Sequence, residues 1–138
     1  MPDLAAPFAH RLTVRFRDCD MMGHVNHAVY LTYFEQCRFA WWRHIGGTMG
    51  FPGATTLIVH AECDYRAPAF LNDELEIALS LSAIGRSSVT IAYSVVNVTT
   101  GQRLAEGKTV NVTVDPGTGT PIPVPAASRA LLVGADAR

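Results

Sequence analysis

The densest run of reactive side chains is Asp18-Cys19-Asp20-Met21-Met22-Gly23-His24-Val25-Asn26-His27-Ala28-Val29-Tyr30. It brings together two carboxylates, two imidazoles, a carboxamide and a phenol. A carboxylate can act as a nucleophile, or as a general base on water. Asp18 and Asp20 also suit a duller role, as turn formers or helix-entry caps. His24 and His27 are spaced i, i+3. No further residue completes a ligand set at metal spacing, so no metal is expected. His24 suits structural hydrogen bonds in a loop, or a place beside a substrate. Asn26 stands where a helix N-cap belongs, and that role alone would account for it.

These residues need elements to hold them. Arg11 to Arg17 alternates apolar and polar residues, which predicts a half-buried strand with Leu12, Val14 and Phe16 inward. Asp18 to His27 breaks the pattern, with Gly23 placed for a sharp turn. Ala28 to Ile45 then reads as one long helix. At about 100° per residue, Val29, Tyr30, Tyr33, Phe34, Cys37, Ala40, Trp41 and Ile45 share one arc. Glu35 and Arg38 share the opposite arc with Leu31, Phe39 and Trp42, so that side is expected to be covered as well. Gly46-Gly47 ends the helix, and a loop follows to Ala54.

Four more strands are predicted: Leu57 to Tyr65, Leu75 to Leu81, Ser88 to Val98 and Leu104 to Val114. In the first, Val59, Ala61, Cys63 and Tyr65 share a face. Asp115 to Pro125 is a loop, and Ala126 to Leu132 suits a short terminal helix. Short links imply antiparallel pairing, and the long helix must pack on the sheet. The expected class is α+β, a single domain over residues 1–138 with its core at about 11–115 and a tail at 116–138.

Composition sets outer limits. With 138 residues, 49% hydrophobic and 17% charged, the chain can bury a core of its own. The net charge of -1 and the lack of a basic run leave no footprint for nucleic acid. Cys19, Cys37 and Cys63 are odd in number and widely spaced, which suits reduced thiols in a cytoplasmic protein. Residues 1–10 lack the pattern of a signal peptide, and no run is apolar enough to span a bilayer. A soluble, cytoplasmic protein is expected.

Three ordered motifs carry a resemblance. The run from Asp18 to Tyr30, followed by Phe34-Glu35, resembles the signature of hot-dog acyl-CoA thioesterases related to 4-hydroxybenzoyl-CoA thioesterase. Asp64-Tyr65-Arg66-Ala67-Pro68-Ala69-Phe70-Leu71-Asn72-Asp73-Glu74 is similar to that family's tyrosine-x-x-proline strand and turn. Gly85-Arg86-Ser87-Ser88 resembles the opening of its next strand. The likeness covers about Leu12 to Val114. One departure is Asn26-His27, where the family often has Asn-Asn or Tyr-His.

The resemblance implies a hot-dog fold, one long helix wrapped by a curved five-stranded antiparallel sheet. It implies an acyl-CoA thioesterase without a cofactor, working as a homodimer or homotetramer. Asp20 would be nucleophile or general base, and a backbone N–H near His27 would bind the oxyanion. His24, Asn26, His27, Tyr30 and Glu35 would neighbour the substrate. In some relatives a helix glutamate is the catalyst. Here an ion pair with Arg38 is the preferred reading of Glu35, leaving it second to Asp20. Arg86, Ser87 and Ser88 would contact CoA, or form an ordinary hairpin turn. Acyl carrier protein as the acyl donor, an acyl-CoA-binding protein without catalysis, and a hydratase using Asp and His are the competing readings.

Overall fold

The computed structural model describes residues 7–46 and 55–134. The elements are β1 (Phe8–Thr13), a 3-10 turn (Phe16–Asp18), α1 (Val29–Gly46), β2 (Thr55–Tyr65), β3 (Glu74–Ile84), β4 (Ser88–Asn97), β5 (Arg103–Val114) and α2 (Ala126–Gly134). The strands form one antiparallel sheet in the order β1-β3-β4-β5-β2. Gly47 and the loop expected as far as Ala54 lie outside the described residues.

Period-two alternation builds the inner face of the sheet. Ile77 pairs with Val95, Leu79 with Tyr93 and Leu81 with Ile91, and all six are buried. Against them α1 places Tyr33, Phe34, Cys37, Trp41 and Ile45, also buried. Each such side chain contributes about 1.5–3 kcal/mol of transfer free energy. The Phe34 ring stacks on Tyr93 at 4.4 Å between centroids. Gly107 makes room for it, since a Cβ there would lie 2.8 Å from the Phe34 ring and 2.3 Å from the Glu62 carbonyl oxygen. The Phe34 ring thus reaches β5 because one strand position lacks a side chain.

Four expectations are corrected. β1 runs from Phe8 to Thr13, earlier than the alternation indicated. The chain leaves the strand at Val14 and tightens into the 3-10 turn, so Phe16 is 83% exposed and Asp18 is buried in its stead. On β2 the register slips between Ile58 and His60, opposite Asn111 and Val110. Val59 is the extra residue of this bulge, so Ile58, not Val59, continues the face of Ala61, Cys63 and Tyr65. On α1, Arg38 and Trp42 are buried although the helical wheel set them on the opposite arc. Their long side chains reach the core: Arg38 Nη1 donates to the Tyr93 hydroxyl at 3.1 Å, and the Trp42 ring packs on Trp41 at 4.6 Å. Finally, the tail contributes to the core through Val124 and Leu132.

At the far edge, β2 pairs only with β5 among the described residues, leaving Leu57, Ile58 and Val59 between 44% and 62% exposed. No described helix is long and apolar enough to cross a membrane.

Candidate active site

The segment between the 3-10 turn and α1 folds into a small hairpin of its own. Cys19 bridges to Val25, and the Asp20 N–H donates to the His24 carbonyl at 3.0 Å. The Gly23 N–H returns to the Asp20 carbonyl at 3.0 Å, with Gly23 at φ +88°, a conformation that a side chain would strain. The hairpin is stitched to the turn before β3. Val25 N–H donates to the Ala69 carbonyl at 2.9 Å, and His24 bridges to Phe70. Asn26 N–H donates to the Asp18 carbonyl at 2.9 Å.

Asp18 is the anchor beneath. Its buried carboxylate accepts from Arg15 N–H at 3.0 Å, from the Arg15 guanidinium at 3.1 Å and from the Tyr33 hydroxyl at 2.9 Å. Burial works to raise its pKa, but these donors outweigh burial and hold the carboxyl below its ordinary value. Burial first, then the Asp18 carboxylate, push the Tyr33 phenol far up, so it stays a donor.

Asp20 faces outward instead. Oδ1 accepts the Met22 N–H at 2.9 Å, and the residue is part-exposed on an open cleft of about 430 Å3. Asp20, His24, Val25, His27, Tyr30, Tyr65, Arg66, Ala67 and Pro68 line that cleft. Across it stands the start of α1. Asn26 Oδ1 caps the Ala28 N–H at 2.9 Å, and the Asn26 carbonyl accepts from Val29 at 3.0 Å. Among the described residues the His27 N–H meets no acceptor. A helix start also carries the positive end of the peptide dipoles. A carboxylate and a residue with a free backbone N–H, Asp20 and His27, therefore line one space open to solvent. That arrangement can deliver an oxygen nucleophile to a carbonyl carbon and hold the developing negative oxygen.

The sequence pattern of the thioesterase-like superfamily matches residues 14–132. The chain belongs to that superfamily. A putative esterase of Aquifex aeolicus (strain VF5) is 33% identical over 96 residues, covering 64% of this chain and 72% of that protein. A 1,4-dihydroxy-2-naphthoyl-CoA hydrolase of Synechococcus elongatus is 29% identical over 125 residues, covering 87% of this chain and 90% of that protein. Against YsmA of Bacillus subtilis the match is 31% over 86 residues, and the chain spans 58% of that protein. Among solved structures, a thioesterase of Thermus thermophilus, complexed with coenzyme A and Zn, is 33% identical with a TM-score of 0.83 and 94% coverage of each chain. The fold is the hot-dog fold, and thioester hydrolysis is the reaction class that membership of the superfamily assigns.

Of the expected site residues, the thioesterase-like fold gathers Asp20, His24, His27 and Tyr30 at the cleft. Tyr30 is 2% exposed, and its phenol is pushed up to about 12 by burial, with a smaller push from Cys63. Asn26 is not among the lining residues, and its side chain accepts the Ala28 N–H at the entry to α1. Glu35 is exposed, further along α1 and outside the cleft lining. The expected ion pair is not made: Arg38 turns to Tyr93, and no Glu35–Arg38 contact appears among the described residues. Arg86, Ser87 and Ser88 sit on the hairpin at the other end of β3. Its 11 residues, at ~3.3 Å each, put them a strand length of about 36 Å from the cleft end of β3. Their backbone is engaged there, with the Arg86 carbonyl accepting from Val124 and the Ser87 carbonyl from Thr113, both at 2.8 Å. No group of three or more metal-ligating side chains occurs among the described residues.

Sequence reasoning missed the opposite wall, Tyr65, Arg66, Ala67 and Pro68. The signal was present in the tyrosine-x-x-proline motif, which was read only as a strand and turn. Arg66 is held at the rim by Glu106, at 3.1 Å from Nε and 2.6 Å from Nη2.

Proposed function

We propose that the chain hydrolyses an acyl-CoA to free acid and CoA, with the Asp20 carboxylate as nucleophile or general base. The observation that supports it best is that Asp20, part-exposed, lines one open cleft with His27, whose N–H meets no acceptor among the described residues. In the general-base form, Asp20 takes a proton from water as the oxygen bonds to the thioester carbon. The carbonyl oxygen gains the electron pair and is stabilised by the His27 N–H. Collapse of this intermediate breaks the C–S bond, and the CoA thiolate takes the proton. In the nucleophilic form Asp20 forms a mixed anhydride first, and water opens it.

The same reading includes a second copy of the chain. The exposed apolar stretch of β2 is the kind of edge that antiparallel pairing covers. A two-fold pairing of β2 with β2 sets the Tyr65 end of one strand beside the Thr55 end of the other. In register, Leu57 lies across from Val112 and Val112 from Ser88. The partner's 86–88 hairpin would therefore come toward this chain's cleft. That is the route by which Arg86, Ser87 and Ser88 would serve CoA.

The test is free-thiol release from a panel of acyl-CoAs, short, long and aromatic, by wild type and Asp20→Asn. Release that falls at least ~100-fold in the variant supports the reading. Undiminished release in the variant moves the chemistry to Glu35. Release from acyl carrier protein thioesters alone would replace CoA by the protein carrier. Binding of acyl-CoA without release would leave a binding protein.

A further inference from the structure

We propose that Tyr65 is a positioning residue for the oxyanion site: its hydroxyl anchors the His27 carbonyl, which fixes the backbone on one side of His27 and with it the placement of the His27 N–H. This inference rests on the thioester-hydrolase reading above. Tyr65 Oη donates to the His27 carbonyl oxygen at 2.7 Å, joining the end of the edge strand to the chain two residues before α1. That carbonyl is free for this use. The neighbouring helix-entry bonds pass it by, since Val29 N–H goes to Asn26 and Leu31 N–H goes to Ala28. The His27–Ala28 peptide is therefore held at both ends, its carbonyl by Tyr65 and its N–H by Asn26 Oδ1.

The orientation matters for electrostatic reasons. An oxyanion is stabilised by donors already aimed at it, and a carbonyl oxygen rotated into the same space would repel it. The His27 carbonyl shares its peptide plane with the Ala28 N–H, and the His27 N–H shares its own with the Asn26 carbonyl, so pinning the first plane limits how far the second can turn about the His27 Cα. Two ring contacts keep the phenol in place. Tyr65 meets Tyr30 edge-on at 5.2 Å and the His27 ring edge-on at 6.4 Å. Burial, then Cys63, push the Tyr65 phenol up to about 12, so it keeps the proton it donates across the working range.

Tyr65→Phe removes the donor and keeps the ring. With the acyl-CoA that wild type hydrolyses best, kcat is expected to fall about tenfold to a hundredfold, less than the loss of a direct oxyanion donor. KM and the thermal midpoint should stay near wild type. So should the Kd for a CoA thioether analogue, which has no carbonyl to polarise. An unchanged kcat would overturn the inference while leaving the hydrolase reading intact. So would a loss of kcat accompanied by weaker thioether binding and a lower thermal midpoint, because a structural role would then suffice. No turnover by wild type on any acyl-CoA or carrier thioester would overturn the hydrolase reading and this inference together.

Discussion

Asp18 and Asp20 are the same residue type two positions apart, and the fold treats them in opposite ways. Asp18 points into the domain and its carboxylate receives three donors, two from Arg15 and one from Tyr33. Asp20 points out and holds the N–H of Met22 with one oxygen. A buried carboxylate with both oxygens engaged by donors is a poor base and a good anchor. One with an oxygen facing solvent at a cleft can accept a proton or attack a carbon. Environment, more than residue type, separates structure from chemistry here.

The contrast breaks most sharply at Asp20. Asp20→Asn should lose at least ~100-fold in hydrolysis while its thermal midpoint stays near wild type, measured by thiol release and melting together. Asp18→Asn should do the reverse. The uncharged amide cannot satisfy the same donors, so stability should drop by about 1–3 kcal/mol in denaturant titration. Activity per folded molecule should fall far less than in Asp20→Asn.

Tyr33→Phe removes one of the three donors and should cost about 1 kcal/mol, with activity largely retained.

The smallest effect is in acid. The folded pKa of Asp18 lies below its unfolded value, so its contribution is fully present above the unfolded pKa. It is lost as pH falls through the lowered folded value. Wild type should therefore lose stability between the ordinary carboxylate pKa and the lower folded one. Asp18→Asn should show a shallower decline over that window. Equal slopes in the two proteins would show that Asp18 gains no charge-dependent support from Arg15 and Tyr33.

Much of the fold was legible because alternation and helical periodicity are local patterns. β3, β4 and β5 appear close to where the sequence put them, and α1 begins one residue later. The errors share a cause. Continuing the first strand to Arg17 placed Phe16 inside and left Asp18 in a loop. The chain turns at that point because Asp18 can collect donors from Arg15 and from Tyr33, a helix residue far along the sequence. Local alternation holds no record of that partner. Likewise the wheel sets Arg38 outward, yet the Tyr93 hydroxyl offers it an acceptor inside the sheet.

The sequence by itself determined the family, the segment that lines the cleft and the order of elements, because each is written in neighbouring residues and their spacing. Only the tertiary structure decided which carboxylate is sealed and which is open, and that Tyr65 to Pro68 form the second wall of the cleft. It also decided that residues 86–88 stand at the remote end of the sheet. These depend on contacts between residues distant in sequence, set by strand order and by side chains such as Phe34 of α1, whose ring fits the sheet only because Gly107 has no side chain.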